Sequence, residues 1–353
     1  MVKVDFIIVG QGICGSILSY QLIKKGKTAI VIDENKNNTS SKVASGVINP
    51  VTGRRAVTTW LASEILPYCN SLYNQMQSEF NLPIISQKNI LSFHVNQQRE
   101  DAYGKRLEEE HNYLTEFNEL DELRTFFNFQ HGVTEINPIY LIEVQNIISS
   151  VKDFLIQKHS YLHEEFVEEN LNVTDNEIKY RNISADKIIY CNGINSMKSY
   201  YWNKLPFVRN KGQALIVEID NLPSNKIYKF GTTTLVPWYN NFWWVGSTYE
   251  LHFFTEEPTI DFLKNTEKYL SNFLKCNFKP INHIAAVRPA TIERRPFVGF
   301  HPKHKNIGIL NGMGTKGCSL APFFSNQLVN HILNNDFIHS EADVHRYTKI
   351  LSL

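Results

Sequence analysis

The feature that most constrains this chain is Gly10-Gln11-Gly12-Ile13-Cys14-Gly15, set between an apolar run, Phe6-Ile7-Ile8-Val9, and a segment of helical spacing. The run shows no polar alternation, so it reads as a strand buried on both faces. Ile13, Ile17, Leu18 and Leu22 recur at helical intervals up to Lys25, and Gly26 is a natural C-terminal stop. A second apolar strand, Thr28-Ala29-Ile30-Val31-Ile32, ends in Asp33. Strand, glycine turn, helix, strand and acid make one βαβ unit. In such a unit Gly10 permits the tight turn, Gly12 lets backbone approach a pyrophosphate, and Gly15 lets helix and strand pack closely. The helix N-terminus offers free N–H groups and partial positive charge to phosphates. Asp33 stands where a carboxylate accepts ribose hydroxyls. The unit reads as a dinucleotide site, and by itself it does not choose between FAD and NAD(P).

The 353 residues suffice for two domains, and the formal net charge of +1 with no long basic run gives no expectation of nucleic acid or anionic membrane as partner. No apolar stretch is long enough to span a bilayer, and the N-terminus enters a strand without a cleavable signal pattern. Cys14, Cys69, Cys191, Cys276 and Cys318 are odd in number and lack metal-ligand spacing, so no metal is expected and free thiols in a reducing cytoplasm are.

Along the chain, Asn35 to Ser45 is polar and rich in hydroxyls, which suits either a solvated loop or a pyrophosphate contact. Gly46 to Arg55 mixes turn formers with apolar residues, as backbone passing something flat would. A helical pattern covers about Thr58 to Phe80, and Ile90-Leu91-Ser92-Phe93-His94 reads as a strand. Glu108 to Phe127 is charged and partly helical, and a helix is expected from Asn137-Pro138 to Lys158. Short strands are expected from Phe166-Val167 onward, ending at Lys187 to Cys191-Asn192-Gly193. Leu235 to Tyr239 and Phe242 to Gly246 suit a hairpin turning at Asn240-Asn241, its aromatics filling a sheet face or touching a ligand. Asp261 to Lys275 is helical, Ala285 to Pro289 is a strand ending near Arg288, and Gly312 to Gly317 is a glycine turn leading into a helix at Ala321-Pro322. The strands of the dinucleotide unit must come from the beginning, middle and end of the chain.

This spaced set resembles the FAD-dependent D-amino acid oxidase superfamily, which includes glycine oxidase and sarcosine oxidase. The resemblance rests on Gly10 to Gly15 with Asp33, Ser40 and Ser41, Ala44 to Gly46, and the strand into Cys191-Asn192-Gly193. It rests further on Lys211-Gly212-Gln213, Gly246-Ser247-Thr248 with Glu250, Arg288-Pro289, and Gly312 to Gly317. It implies an α/β fold: a discontinuous Rossmann-like FAD-binding domain of glutathione reductase type over 1–83, 138–204 and 285–353. An α+β substrate domain with a large mixed or antiparallel sheet is implied over 84–137 and 205–284. It implies FAD, bound non-covalently, since no cysteine near Arg288 stands where sarcosine oxidase tethers its flavin, and Cys318 reads as a packed thiol.

The implied cofactor contacts are Gly10, Gly12, Ile13, Cys14, Gly15, Asp33, Glu34, Ser40, Ser41, Ala44, Ser45, Gly46, Phe166, Val167, Cys191, Asn192 and Gly193. Arg288, Gly312, Gly314, Thr315, Lys316 and Gly317 complete them. Arg288 is the implied catalytic residue; its planar fork suits a substrate carboxylate where a lysine would not. The implied reaction oxidises the C–N bond of an amino acid or secondary amine by hydride transfer to flavin N5. The imine then hydrolyses, and dioxygen reoxidises the flavin to give hydrogen peroxide. Two alternatives stay open: a dehydrogenase with another electron acceptor, and a flavin module of an RNA-modification system. Thr315 departs from glycine oxidase, which carries an arginine in this loop. Arg54 and Arg55 reach the pocket in one reading and form a surface pair in the other; Lys316 adds charge at the flavin or is exposed. The particular amine and the oligomeric state are not legible.

Overall fold

The computed structural model describes residues 1–53, 55–109, 112–174 and 177–353. Strand Val2–Val9 lies inside an eight-stranded sheet. It pairs in parallel with Ala29–Asp33 on one side and Ile183–Tyr190 on the other. Tyr161–His163 extends the sheet beyond Ala29–Asp33, and Ile307–Asn311 runs parallel to the end of Ile183–Tyr190. Its strands thus come from the start, middle and end of the chain. Both faces of the first strand are dry, as its unbroken apolar run requires. Phe6 and Ile8 pack on helices Ile13–Lys24, Ala62–Phe80, Val144–Gln157 and Gly317–Asn334, while Ile7 and Val9 pack with Trp202, Ile309 and Val344 on the other face.

A second eight-stranded sheet is built on the ribbon of Phe207–Ile219 against Phe278–Thr291. Its pairings are antiparallel except Ile227–Phe230 with Ile90–Phe93. The hairpin of Thr233–Pro237 and Trp243–Gly246 turns where Asn240 and Asn241 both take left-handed backbone, which asparagine tolerates best among side-chain-bearing residues. One face, with Leu215, Val217, Leu235 and Val245, packs on Leu270 and Phe273 of helix Ile260–Phe273. The other face carries Ala214, Ile216, Val236 and Trp244. Trp244 Nε1 donates to Val43 O at 3.1 Å and so ties this sheet to the loop after Asp33. The architecture is the mixed α/β fold with large sheets that the sequence implied.

Several local boundaries differ from the sequence reading. The helix expected from Asn137-Pro138 begins only at Val144; Tyr140–Ile142 is a strand, held between Val47–Ile48 and Ile85–Gln87. Phe166 and Val167 lie outside any strand, between the edge strand Tyr161–His163 and a 3-10 turn at Glu168–Asn170. The helix pattern from Thr58 starts at Ala62, after Leu61 in left-handed backbone. The charged region resolves into helices Gln97–Glu108 and Leu120–Phe126. The last long helix starts at Gly317, so Pro322 lies inside it. Proline has no N–H to offer the carbonyl four residues back. Cys318 O is that carbonyl, and it accepts instead from the buried Tyr73 hydroxyl at 2.7 Å. Among the described residues no helix is long and apolar enough to cross a membrane.

Candidate active site

The glycine turn has no room for side chains. Gly10 holds φ +92°, and a Cβ there would lie 2.8 Å from Asn192 Cα; a Cβ at Gly15 would lie 1.8 Å from Gly10 O. Gly12 is different, because it faces a cavity and meets only Ser41, whose Oγ accepts Ile13 N at 3.0 Å. Asp33 fixes the turn from the neighbouring strand end. Its Oδ2 accepts Gln11 N at 2.8 Å and its Oδ1 accepts Asn35 N at 2.7 Å.

A cavity of about 540 Å³ lies between this turn, the loop from Ser40 to Asn49, the turn from Met313 to Cys318, and the inner face of the second sheet. That volume falls within the ordinary range for small-molecule sites. Helix Ile13–Lys24 begins at its edge with no side-chain cap and no acid in the first turn. Helix Gly317–Asn334 does the same from the other side. The two starts meet closely, since a Cβ on Gly317 would lie 3.2 Å from Ile13 Cγ2. Two helix starts, neither with an acid in its first turn, therefore give one cavity a positive wall.

Of the expected contacts, Gly12, Ile13, Cys14, Ser40, Ser41, Ala44, Ser45, Gly46, Cys191, Gly193, Arg288, Gly314, Thr315 and Gly317 line the cavity. Gly10, Gly15 and Gly312 stand behind the lining. Gly312 holds φ +80° with Thr291 Cγ2 only 2.7 Å from where a Cβ would sit. Asn192 accepts from Ser196 Oγ, and Glu34 pairs with Lys36 at 2.6 Å. Phe166 stacks on Tyr180, whose hydroxyl accepts Val167 N. Lys316 is partly buried outside the lining, its amine pushed down to about 8 by burial and by Arg295 and Arg294. Arg55 is exposed and outside the lining; Arg54 lies outside the described residues. Cys14 and Cys318 line the cavity as neutral thiols, each pushed up to about 12 by burial.

Arg288 crosses from the edge strand of the ribbon onto its partner. Nη1 donates to Asn210 Oδ1 at 2.7 Å and to Thr248 O at 3.1 Å, and Nη2 donates to Ser247 Oγ at 2.8 Å. All three acceptors are neutral, and among the described residues the guanidinium has no carboxylate partner. Burial lowers its proton affinity, opposed by Tyr249 and Glu250. A charge held by neutral acceptors in a cavity wall keeps its Coulombic attraction for an anion that arrives there. Asn210 was not singled out from sequence, although it sits directly opposite Arg288 in the ribbon register. Arg99 and Lys229, which also line the cavity, were missed as well. Lys229 lies on strand Ile227–Phe230 and Arg99 on helix Gln97–Glu108, and in the sequence each lone cation looks like solvent-facing charge. Among the described residues no aspartate, glutamate or histidine lines the cavity.

A sequence model of a family described as FAD dependent oxidoreductase (DAO) matches residues 5–330. Glycine oxidase of Bacillus subtilis (strain 168) is 28% identical over 140 residues, a match spanning 38% of this chain and 38% of that protein. Among solved structures, glycine oxidase from Geobacillus kaustophilus superposes with a TM-score of 0.80 at 14% identity, covering 96% of both chains. Iminodiacetate oxidase from Chelativorans sp. BNC1 gives 0.76 at 19% identity, covering 93% of this chain and 95% of that one. L-proline dehydrogenase from P. horikoshii gives 0.79 at 15% identity, covering 99% and 98%. At these identities the superpositions establish a shared fold.

Proposed function

Because this chain belongs to the DAO family of FAD dependent oxidoreductases, we propose that it oxidises the C–N bond of an amino acid or amine, with dioxygen as the electron acceptor. Unpaired Arg288 in the wall of a cavity with two open helix ends is the observation that carries this reading.

The cradle has the shape FAD needs. Gly12 leaves backbone open beside the uncapped start of helix Ile13–Lys24, where a pyrophosphate finds N–H donors and positive potential. Asp33, at the end of the adjacent strand and behind the cavity lining, is the carboxylate such a unit offers to the adenosine ribose, and it holds Gln11 N and Asn35 N. The start of helix Gly317–Asn334, with Gly314 and Thr315, suits an electron-rich edge of the flavin ring. Neutral, buried Cys14 and Cys318 favour non-covalent binding, because the nucleophilic form of cysteine is the thiolate. Bound FAD supplies the acceptor for the hydride that leaves the carbon beside the amine.

The protein supplies position and charge. Arg288 takes the substrate carboxylate on its free edge, while Asn210, Ser247 and Thr248 O hold the other edge still. The lining has cations and no acid, so it disfavours an ammonium and favours the amine as free base. A neutral amine keeps the lone pair that drives hydride departure. The sheet face with Ile90, Trp244 and Ile284 excludes water from the reacting carbon.

The test is anaerobic mixing of FAD-loaded protein with a panel of amino acids and secondary amines, followed by air. Bleaching of the flavin by an amine, with fast recovery and hydrogen peroxide on aeration, is the expected result. Bleaching with slow recovery assigns a dehydrogenase, and no bleaching by any amine overturns the reading.

A further inference from the structure

The cavity has a second cationic end, away from Arg288. Ile284, Ala214, Gly246, Thr234 and Lys229 form a row of directly paired residues across the second sheet, and all of them line the cavity. Directly paired residues share a face, so Lys229 projects on the same side as the rest of the row. The strand beneath the Arg288 guanidinium and the strand of Lys229 are three spacings apart, about 14 Å at the usual separation of neighbouring strands.

Arg99, on helix Gln97–Glu108, lines the same end and lies over the Tyr103 ring at 5.7 Å. The Tyr103 hydroxyl shares a hydrogen bond with Ser92 Oγ at 3.1 Å, which fixes the ring on the strand beside Lys229. Arg99 Nε is buried with no acceptor, and neither Arg99 nor Lys229 has a carboxylate partner among the described residues. Burial, and the charge of Arg99, push the Lys229 amine down to about 8. Two partly buried cations without a counter-ion are unfavourable until an anion joins them. The FAD phosphates have their own helix end at Gly12, on the first sheet, which leaves this pair to another ligand.

On the reading that Arg288 holds a substrate carboxylate, we propose that the substrate carries a second anionic group, several bonds from the first, received by Lys229 and Arg99. The class is an amino acid with an acidic side chain, or an amine with two carboxylate arms.

Matched pairs decide it: glutamate against glutamine and aspartate against asparagine, in both enantiomers, with flavin reduction followed anaerobically. The acidic member should show a KM lower by roughly tenfold or more, as expected for hydrogen bonds to a charged group. Lys229→Met and Arg99→Met should each remove most of that advantage, raising KM for the acidic member of each pair far more than for its amide. Binding without turnover is read in parallel, from the shift of the flavin spectrum by glutarate against butyrate. Glutarate should bind at least roughly tenfold tighter, and Lys229→Met should abolish the difference. Equal KM values within the pairs, equal binding of the two acids, or equal losses for acidic and amide substrates in Lys229→Met would overturn the proposal. Should no amine reduce the flavin, the oxidation reading falls, and the glutarate comparison still decides the second subsite.

Discussion

The Arg288 guanidinium occupies the space a side chain at position 212 would fill: a Cβ on Gly212 would lie 1.8 Å from Nη2. Gly212 pairs with Ala286 on the same ribbon, so Arg288 folds back along its own strand and over the neighbouring one. Lys211-Gly212-Gln213 is thus a gap for the arginine. Gly212→Ala should displace the guanidinium and raise KM for carboxylate substrates by roughly tenfold or more, with flavin content unchanged. Steady-state kinetics beside the visible spectrum of the same preparation check both halves.

Arg288→Lys should fare little better than Arg288→Ala. A lysine cannot hold Asn210 Oδ1 and Ser247 Oγ while presenting a fork to a carboxylate. Loss of a charge-assisted pair worth about 2–3 kcal/mol corresponds to roughly a hundredfold fall in kcat/KM. The FAD dissociation constant should stay within about threefold of wild type. A comparable loss in flavin affinity would show that Arg288 is structural.

Asp33→Ala removes the acceptor of both Gln11 N and Asn35 N, so the glycine turn and the following loop lose their common anchor. Left-over amides of this kind cost about 1–3 kcal/mol each. The prediction is FAD affinity weakened by roughly tenfold or more, read by titrating apoprotein with FAD, with the catalytic pH profile of the reloaded enzyme unchanged. Asp33→Asn keeps one acceptor oxygen and should fall between.

Acid should destabilise the fold through its buried histidines. Burial pushes His94 and His301 down to about 4 from an ordinary value of 6.5. His301 Nδ1 accepts Lys303 N at 3.1 Å and His304 N at 3.2 Å, so a proton on that nitrogen breaks both bonds. The unfolded chain takes up these protons near pH 6.5 and the folded chain only near 4. Their contribution is therefore intact above 6.5 and lost progressively as pH falls to about 4. The urea midpoint should drop across that window, and His94→Gln or His301→Gln should flatten the slope.

Period and punctuation made the nucleotide half of the fold legible. Phe6 to Val9, the glycines, and the helix stop at Gly26 are local signals, and Val2–Val9 and Ile13–Lys24 follow them. The Asn240-Asn241 turn was legible for the same reason. Leu171–Val173 and Ile178–Tyr180, which pair with each other as near neighbours, were legible too, whereas Tyr140–Ile142 and Tyr161–His163 were not, because partners far along the chain bind them. The start of helix Gly317–Asn334 was displaced to Pro322 because proline looks like a helix boundary. Tyr73, distant in sequence, takes the carbonyl that Pro322 leaves free. Arg288 could be singled out from the family resemblance, although it lies inside strand Phe278–Thr291 and not at the strand end that Ala285 to Pro289 suggested. Asn210, Arg99 and Lys229 could not be, because their roles depend on sheet register and on burial without a counter-ion.

The central claim is that one cavity, walled by Gly12, Gly317 and Arg288, holds FAD without a covalent bond. The direct measurement is flavin in the filtrate after the purified protein is denatured and passed through a membrane that retains the chain. One FAD per chain in the filtrate, absent from filtrate of the native protein, is the result this structure predicts. A colourless protein that binds no added FAD, or a chromophore that stays with the denatured chain, would contradict it.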